Sequence, residues 1–184
     1  MTTSTFGETI DGLTAAGRTI KAAVFDEREV RAAAGLTLAL GTGAFVFAYF
    51  AREYLPIKLV TTLFFIEFLL RVTLGLKYSP IGQLARLLTW GKPPDWVSAK
   101  PKRFAWTLGL ALSLAMTLIT NADIRGVLPL SICLMCITLM WLEAVLGLCL
   151  GCEIYRLLVR RGWIARDEAF EVCSGGACAP GSGL

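Results

Sequence analysis

The sequence predicts an all-α protein, an integral membrane four-helix bundle with interfacial amphipathic helices. Three observations lead there. Hydrophobic residues make up 55% of the 184, and they gather in four long runs instead of spreading evenly, as they would in a soluble domain. The mean hydropathy is +0.64. Lysine and arginine concentrate in alternate connections between the runs, the asymmetry that sets orientation in a bilayer.

Met1 to Gly12 is polar and acidic, with no short apolar core before a small-residue cleavage site, so no signal peptide is expected. Thr9 to Phe25 places Ile10, Leu13, Ile20 and Val24 among small and charged residues; it suits a surface helix or a solvated lead-in equally. Asp26-Glu27-Arg28-Glu29 marks the membrane entry, and the first span runs from about Val30 to Ala51. The second runs from about Leu55 to Leu76 and is stopped by Tyr78-Ser79-Pro80, because proline cannot continue a helix comfortably. Ile81 to Trp90 sets Leu84, Leu87 and Leu88 opposite Gln83 and Arg86, an interfacial helix. Gly91 to Arg103 reads as a loop. The third span is Phe104 to Thr120, Asn121 to Gly126 is a tight turn, and the fourth span continues from Val127 to about Leu150. Each is long enough, since crossing takes roughly twenty apolar residues at about 1.5 Å apiece. An amphipathic stretch, Glu153 to Arg161, follows.

Three segments result: an N-terminal cytoplasmic segment (1–25), a membrane domain (26–161), and a flexible cysteine-containing cytoplasmic tail (162–184). The N-terminal part through Arg31 holds four basic residues, the connection from Lys77 to Arg103 holds six, and the stretch after the fourth span four, while the other two connections share only Arg52, Lys58 and Arg125. The positive-inside rule therefore puts both termini and the middle connection on the cytoplasmic side of a bacterial inner membrane. Trp90, Trp96, Trp106 and Trp163 fall where an aromatic belt would. The net charge of +4 includes no basic block interleaved with aromatics, so no nucleic-acid partner is expected.

Six cysteines and no histidine remove the commonest general base and zinc nitrogen ligand. Catalysis would run on thiols, carboxylates or a borrowed cofactor. Glu67 and Arg71 are four apart on one helix face and can pair. Entering from outside, Glu67 lies about 18 Å deep, Arg71 about 24 Å and Glu143 about 24 Å. Cys149, Cys152 and Glu153 follow at the helix exit, and Arg28 and Arg31 arrive at the same level. Charges inside a span mark either a closed structural cluster, with Arg71 neutralising Glu67 or Glu143, or a proton or anion pathway. Cys149-Leu150-Gly151-Cys152 is a C-x-x-C whose thiols share a helix side, near enough for a disulfide after modest adjustment or for a soft metal. A helix beginning at Glu153 would place Cys152 at its N-terminus beside Arg156, favouring thiolate. Cys133 and Cys136 are deeper, align with Met140 and Glu143, and read as packing. Cys173 and Cys178, separated by Ser-Gly-Gly-Ala, have three readings. They exchange thiols with Cys149 and Cys152. All four bind zinc or an iron–sulfur cluster. Or the tail is inert.

Asp26-Glu27-Arg28 with Arg31, Phe68-Leu69-Leu70-Arg71, Tyr78-Ser79-Pro80, Lys100-Pro101-Lys102-Arg103-Phe104-Ala105, and Leu142-Glu143-Ala144 through Gly147-Leu148-Cys149-Leu150-Gly151-Cys152-Glu153-Ile154-Tyr155 together resemble the bacterial membrane-protein family named domain of unknown function 4395. The resemblance spans about Phe25 to Leu158. It implies four spans and a C-L-G-C at the end of the last. The association of some members with thioredoxin-like or sulfurtransferase proteins implies a thiol or sulfur role. It implies no activity, and it says nothing of Cys133, Cys136, Cys173, Cys178 or the segment before Phe25.

Three functions follow as expectations. In the first, a membrane thiol-redox or sulfur-handling protein exchanges through Cys149 and Cys152, with Arg28 and Arg156 lowering the thiol pKa or binding an anionic sulfur species, and Glu67 or Glu143 managing protons. In the second, the chain is a non-catalytic accessory or assembly subunit of a larger membrane complex. In the third, it is a small transporter using Glu67, Arg71 and Glu143, which with so few spans would require a homo-oligomer.

Overall fold

The computed structural model describes residues 7–9, 14–15, 18–19 and 23–164. It is mostly helical. Helix α1 (Glu27–Val46) runs into a π-helical turn, Phe47–Ala51, and doubles back into α2 (Leu55–Thr73). The short α3 (Pro80–Leu88) lies across α1, with Arg86 Nε 3.7 Å from Glu29. The chain returns through α4 (Ala99–Asn121), turns, descends α5 (Val127–Trp141) and a second π-helical turn, Leu142–Leu146, and ends in α6 (Leu150–Arg160). Three helical stretches are long and apolar enough to cross a membrane: Glu27–Ala51, Ala99–Asn121 and Val127–Leu146. The second expected span is present as α2, but its 19 residues include Lys58, Glu67 and Arg71. Large apolar side chains such as Phe50, Leu59 and Leu118 stand exposed on the helix surfaces.

The segment before α1 departs from the helix that its pattern permitted. Its described residues form short strands: β1 (Glu8–Thr9), β2 (Thr14–Ala15), β3 (Arg18–Thr19) and β4 (Ala23–Asp26); Ile10, Leu13 and Ile20 lie outside the described residues. Strand β4 pairs antiparallel with β1 and with β5 (Trp96–Ser98), aligning Phe25 with Val97 and Asp26 with Trp96. Asp26 locks this ladder to α1. Its Oδ1 caps the helix by accepting from Arg28 N and also accepts from Asp95 N, each at 3.0 Å, while Glu27 N donates to Asp95 O at 2.7 Å. The expected loop before the third span is thereby tied to the start of the first.

That tie changes where α4 begins. The helix starts five residues before Phe104, at Ala99, and takes Pro101 and Lys102 into its first turns. Proline is compatible there because the first N–H groups of a helix have no intrahelical acceptor. Trp106, expected in an interfacial belt, is instead buried against Phe25, ring centroids 4.9 Å apart; Trp90 and Trp163 are exposed. At the opposite end of the bundle Gly126 N donates to Tyr54 Oη, and Lys58 pairs with Asp123 at 3.6 Å.

Candidate thiol and charge site

Lys102 is fully buried, and carboxylates from two other segments converge on its ammonium. Nζ lies 2.9 Å from Glu27 Oε2 at the start of α1, and 2.9 Å from Glu143 Oε1 in the π-helical turn after α5. A buried ammonium is tolerated only where it is paired and hydrogen-bonded; here two carboxylates serve one lysine. The wide π turn is a local departure of the kind that marks special positions in helices. Arg31 holds it from α1, its Nη2 donating to Ala144 O at 3.1 Å and Val145 O at 2.9 Å, and so satisfies carbonyls left open where the helix ends. The sequence reading counted Lys102 only as a loop charge. The residue's signal is masked there because Lys100-Pro101-Lys102-Arg103 has the composition of a basic connection.

Gly147 then breaks the helix. Its φ of +68° is left-handed, a conformation glycine reaches without strain. The fourth span was expected to continue to about Leu150, three residues later. Leu148 and Cys149 cross the gap, Cys149 sits in extended conformation as the N-cap of α6, and Cys152 falls in its first turn. Gly151, within α6, is a close-packing position: a Cβ there would stand 2.6 Å from the Ala105 Cβ of α4. This contact seats α6 on α4 one turn from Lys102.

The two thiols meet. Cys152 Sγ donates to Cys149 Sγ at 2.7 Å, and both are buried. That separation exceeds the roughly 2.05 Å of a disulfide by about 0.7 Å. The surroundings of Cys152 work against the thiolate expected there. The hydrogen bond it donates to Cys149, then its burial, push its pKa above the ordinary thiol value. The field of Lys102 opposes them and does not prevail. Arg156, expected to act on the thiols, pairs with Glu153 one turn away, and the field of Lys102 reaches Cys152.

Glu67 and Arg71 form a separate unit. Arg71 Nη2 lies 2.8 Å and Nε 2.9 Å from Glu67 Oε1, with both side chains buried. Glu67 Oε2 accepts from Ile81 N at 3.2 Å, which secures the first turn of α3. Arg71 also lies over the Phe68 ring, 5.2 Å from its centroid. Of the expected acid partners, Arg71 bonds Glu67, while Glu143 bonds Lys102.

A cavity of about 440 Å³ extends along the bundle among α1, α2, α4 and α5. Its lining is nearly all apolar, with Phe64, Met116 and Cys136 along its length and Met140, Glu143 and Cys149 among the residues at the thiol end. Cys133 lines it too and belongs to a core cluster with Ala44, Ala48, Ile57 and Met116. Among the described residues no three cysteines or carboxylates come together as a metal-ligand set. Cys173 and Cys178, the other half of the expected four-cysteine site, lie outside the described residues.

No curated protein and no solved structure matches the chain. A family does: domain of unknown function 4395 (DUF4395) matches residues 25–160, a stretch that takes in Glu27, Glu67, Arg71, Lys102, Glu143, Cys149 and Cys152. The chain belongs to the DUF4395 family.

Proposed function

We propose that the chain is a four-span inner-membrane protein of thiol-redox or sulfur-handling type, acting through Cys149 and Cys152 at the cytoplasmic face. The distribution of lysine and arginine supports that orientation, with both termini and the α3–α4 connection inside. The pairing within α2 supports its crossing as well, as the second of four spans. Glu67 and Arg71 neutralise each other out of contact with lipid, and Lys58 lies at the far end beside Asp123. Intramembrane charges are tolerated when they face protein and pair. The Glu67–Arg71 pair has a structural role in this reading, because its remaining oxygen holds the α3 backbone.

The observation on which the function rests is the 2.7 Å approach of the two sulfurs at a helix break, beside a buried cation. Two thiols so placed can lose two electrons and two protons to a disulfide with little motion. The natural partner is a thioredoxin-like or sulfurtransferase protein that presents its own cysteine to the cytoplasmic surface of α6.

The test is differential alkylation with mass spectrometry on anaerobically purified full-length protein, before and after a mild oxidant. Reversible conversion of Cys149 and Cys152 between dithiol and disulfide is expected, and is lost in Cys149→Ser. Thiols that stay free under every oxidant would remove this function and favour an accessory-subunit role. Protection together with Cys173 and Cys178 until a chelator is added would replace exchange by metal binding.

A further inference from the structure

The apolar cavity ends on a sulfur. Its walls run from Ile57 and Met116 to Glu143 and Cys149. Its volume of about 440 Å³ falls within the roughly 300–1,000 Å³ of small-molecule sites. Cys149 lines it and Cys152 lies behind, 1% exposed. An occupant would meet mostly apolar side chains along its body, with Cys133 and Cys136 and the hydroxyls of Thr37, Thr61 and Ser113 among them, and at one end a carboxylate beside the Cys149 thiol, which is backed by Cys152.

That arrangement selects a chemistry. Closing the Cys149–Cys152 disulfide releases two electrons and two protons, so the matching acceptor takes up both. A protein disulfide would approach over the surface of α6 and has no use for a channel of leucine, phenylalanine and methionine side chains. A lipid-soluble quinone combines an apolar tail with a two-electron, two-proton head. We propose that the cavity binds a membrane quinone, ring against Cys149, and that this quinone oxidises the pair. Both S–H bonds break and one S–S bond forms. The two electrons and two protons convert the two ring carbonyls to hydroxyls. The Glu143 carboxylate lines the same end of the cavity, within reach of protons in transit. The inference rests on the thiol-exchange reading of Cys149 and Cys152 and names their oxidant.

The experiment uses the full-length, fully reduced protein in anaerobic vesicles of phosphatidylethanolamine and phosphatidylglycerol, with a decyl-tailed quinone as probe. Quinone absorbance and alkylation of Cys149 and Cys152 are followed together. One quinone consumed per disulfide formed is expected. Met140→Trp and Ala111→Phe, each filling the cavity from a different wall, should slow the reaction about tenfold or more, the effect of roughly one hydrophobic misfit. Leu118→Trp, at an exposed position of α4 that does not line the cavity, should react at the parent rate. Diamide, a water-soluble oxidant, is the reference for folding and thiol reactivity in every variant. If diamide closes the disulfide and the quinone leaves the thiols reduced, the quinone inference falls and the thiol function stands. If quinone oxidises both cavity variants as fast as the parent, the cavity is not its site and the inference falls. If neither oxidant joins the sulfurs, the thiol function falls and the inference with it.

Discussion

Gly151 of α6 and Ala105 of α4 are in contact so close that no side chain fits between them: a Cβ on Gly151 would stand 2.6 Å from the Ala105 Cβ and 2.7 Å from its Cα. The glycine in the middle of the C-x-x-C is thus the surface on which the thiol-bearing helix is seated. Gly151→Val should lift α6 from α4 and cost about 1–3 kcal/mol, the usual range for overpacking. Thermal unfolding in detergent measures the loss, and the oxidation rate of Cys149 and Cys152 should fall with it. The milder Gly151→Ala should be partly rescued by Ala105→Gly; absence of rescue would show that the contact is not what seats the helix.

The Lys102 network predicts a sharper penalty. Lys102→Met leaves two buried carboxylates without their cation, a loss of about 3–5 kcal/mol by analogy with broken buried pairs. Adding Glu143→Gln to Lys102→Met should recover part of that loss, since one uncompensated charge goes with it. A double-mutant cycle on urea or detergent unfolding reads the coupling. Additive effects would show that the two residues act independently.

The pH dependence of labelling follows from the environment of Cys152. Its pKa is raised, first by the hydrogen bond it donates to Cys149 and then by burial. A raised thiol pKa means less thiolate at every pH below it, so the alkylation rate of Cys152 should go on climbing with pH beyond the range where an ordinary thiol levels off. Cys149, which lines the cavity, should be labelled first at neutral pH. Cys149→Ala removes the largest cause of the shift and should bring the Cys152 plateau to lower pH. A plateau at the ordinary thiol position in the parent protein would contradict the arrangement.

Much of this was legible in the sequence. Apolar runs and short turns locate the long helices because crossing length and helix rise are fixed. The level of Glu143, Cys149 and Cys152 follows from counting residues along α5. Lys102 was not legible, because Lys100-Pro101-Lys102-Arg103 has the composition of a basic loop, and only the β4–β5 ladder, too short for a periodic signal, starts α4 early enough to bury it. The helix break was misplaced for a related reason. Gly147 and Gly151 look alike in sequence, and only the left-handed turn at one and the Ala105 contact at the other separate them.

Glu67 predicts a local effect with the thiols spared. Its Oε2 is the acceptor for Ile81 N, so Glu67→Ala should loosen α3. Amide exchange across Pro80–Leu88 should accelerate about tenfold or more for roughly 1.4 kcal/mol lost, while disulfide formation by diamide continues at the parent rate. Exchange confined to its parent value would assign the anchoring of α3 to other contacts.

The spacing of the Lys102 partners bears on how the chain is made. Glu27 precedes Lys102 by 75 residues, and Glu143 follows it by 41. During synthesis the first acid therefore waits for its lysine through α1, α2 and α3, and the second reaches an ammonium already in place. An incomplete bundle exposes an uncompensated acid where a finished one exposes none. The triad is thus complete only when the chain after α5 has joined α1 and α4, so one ammonium couples the folding of the first helix to that of the last.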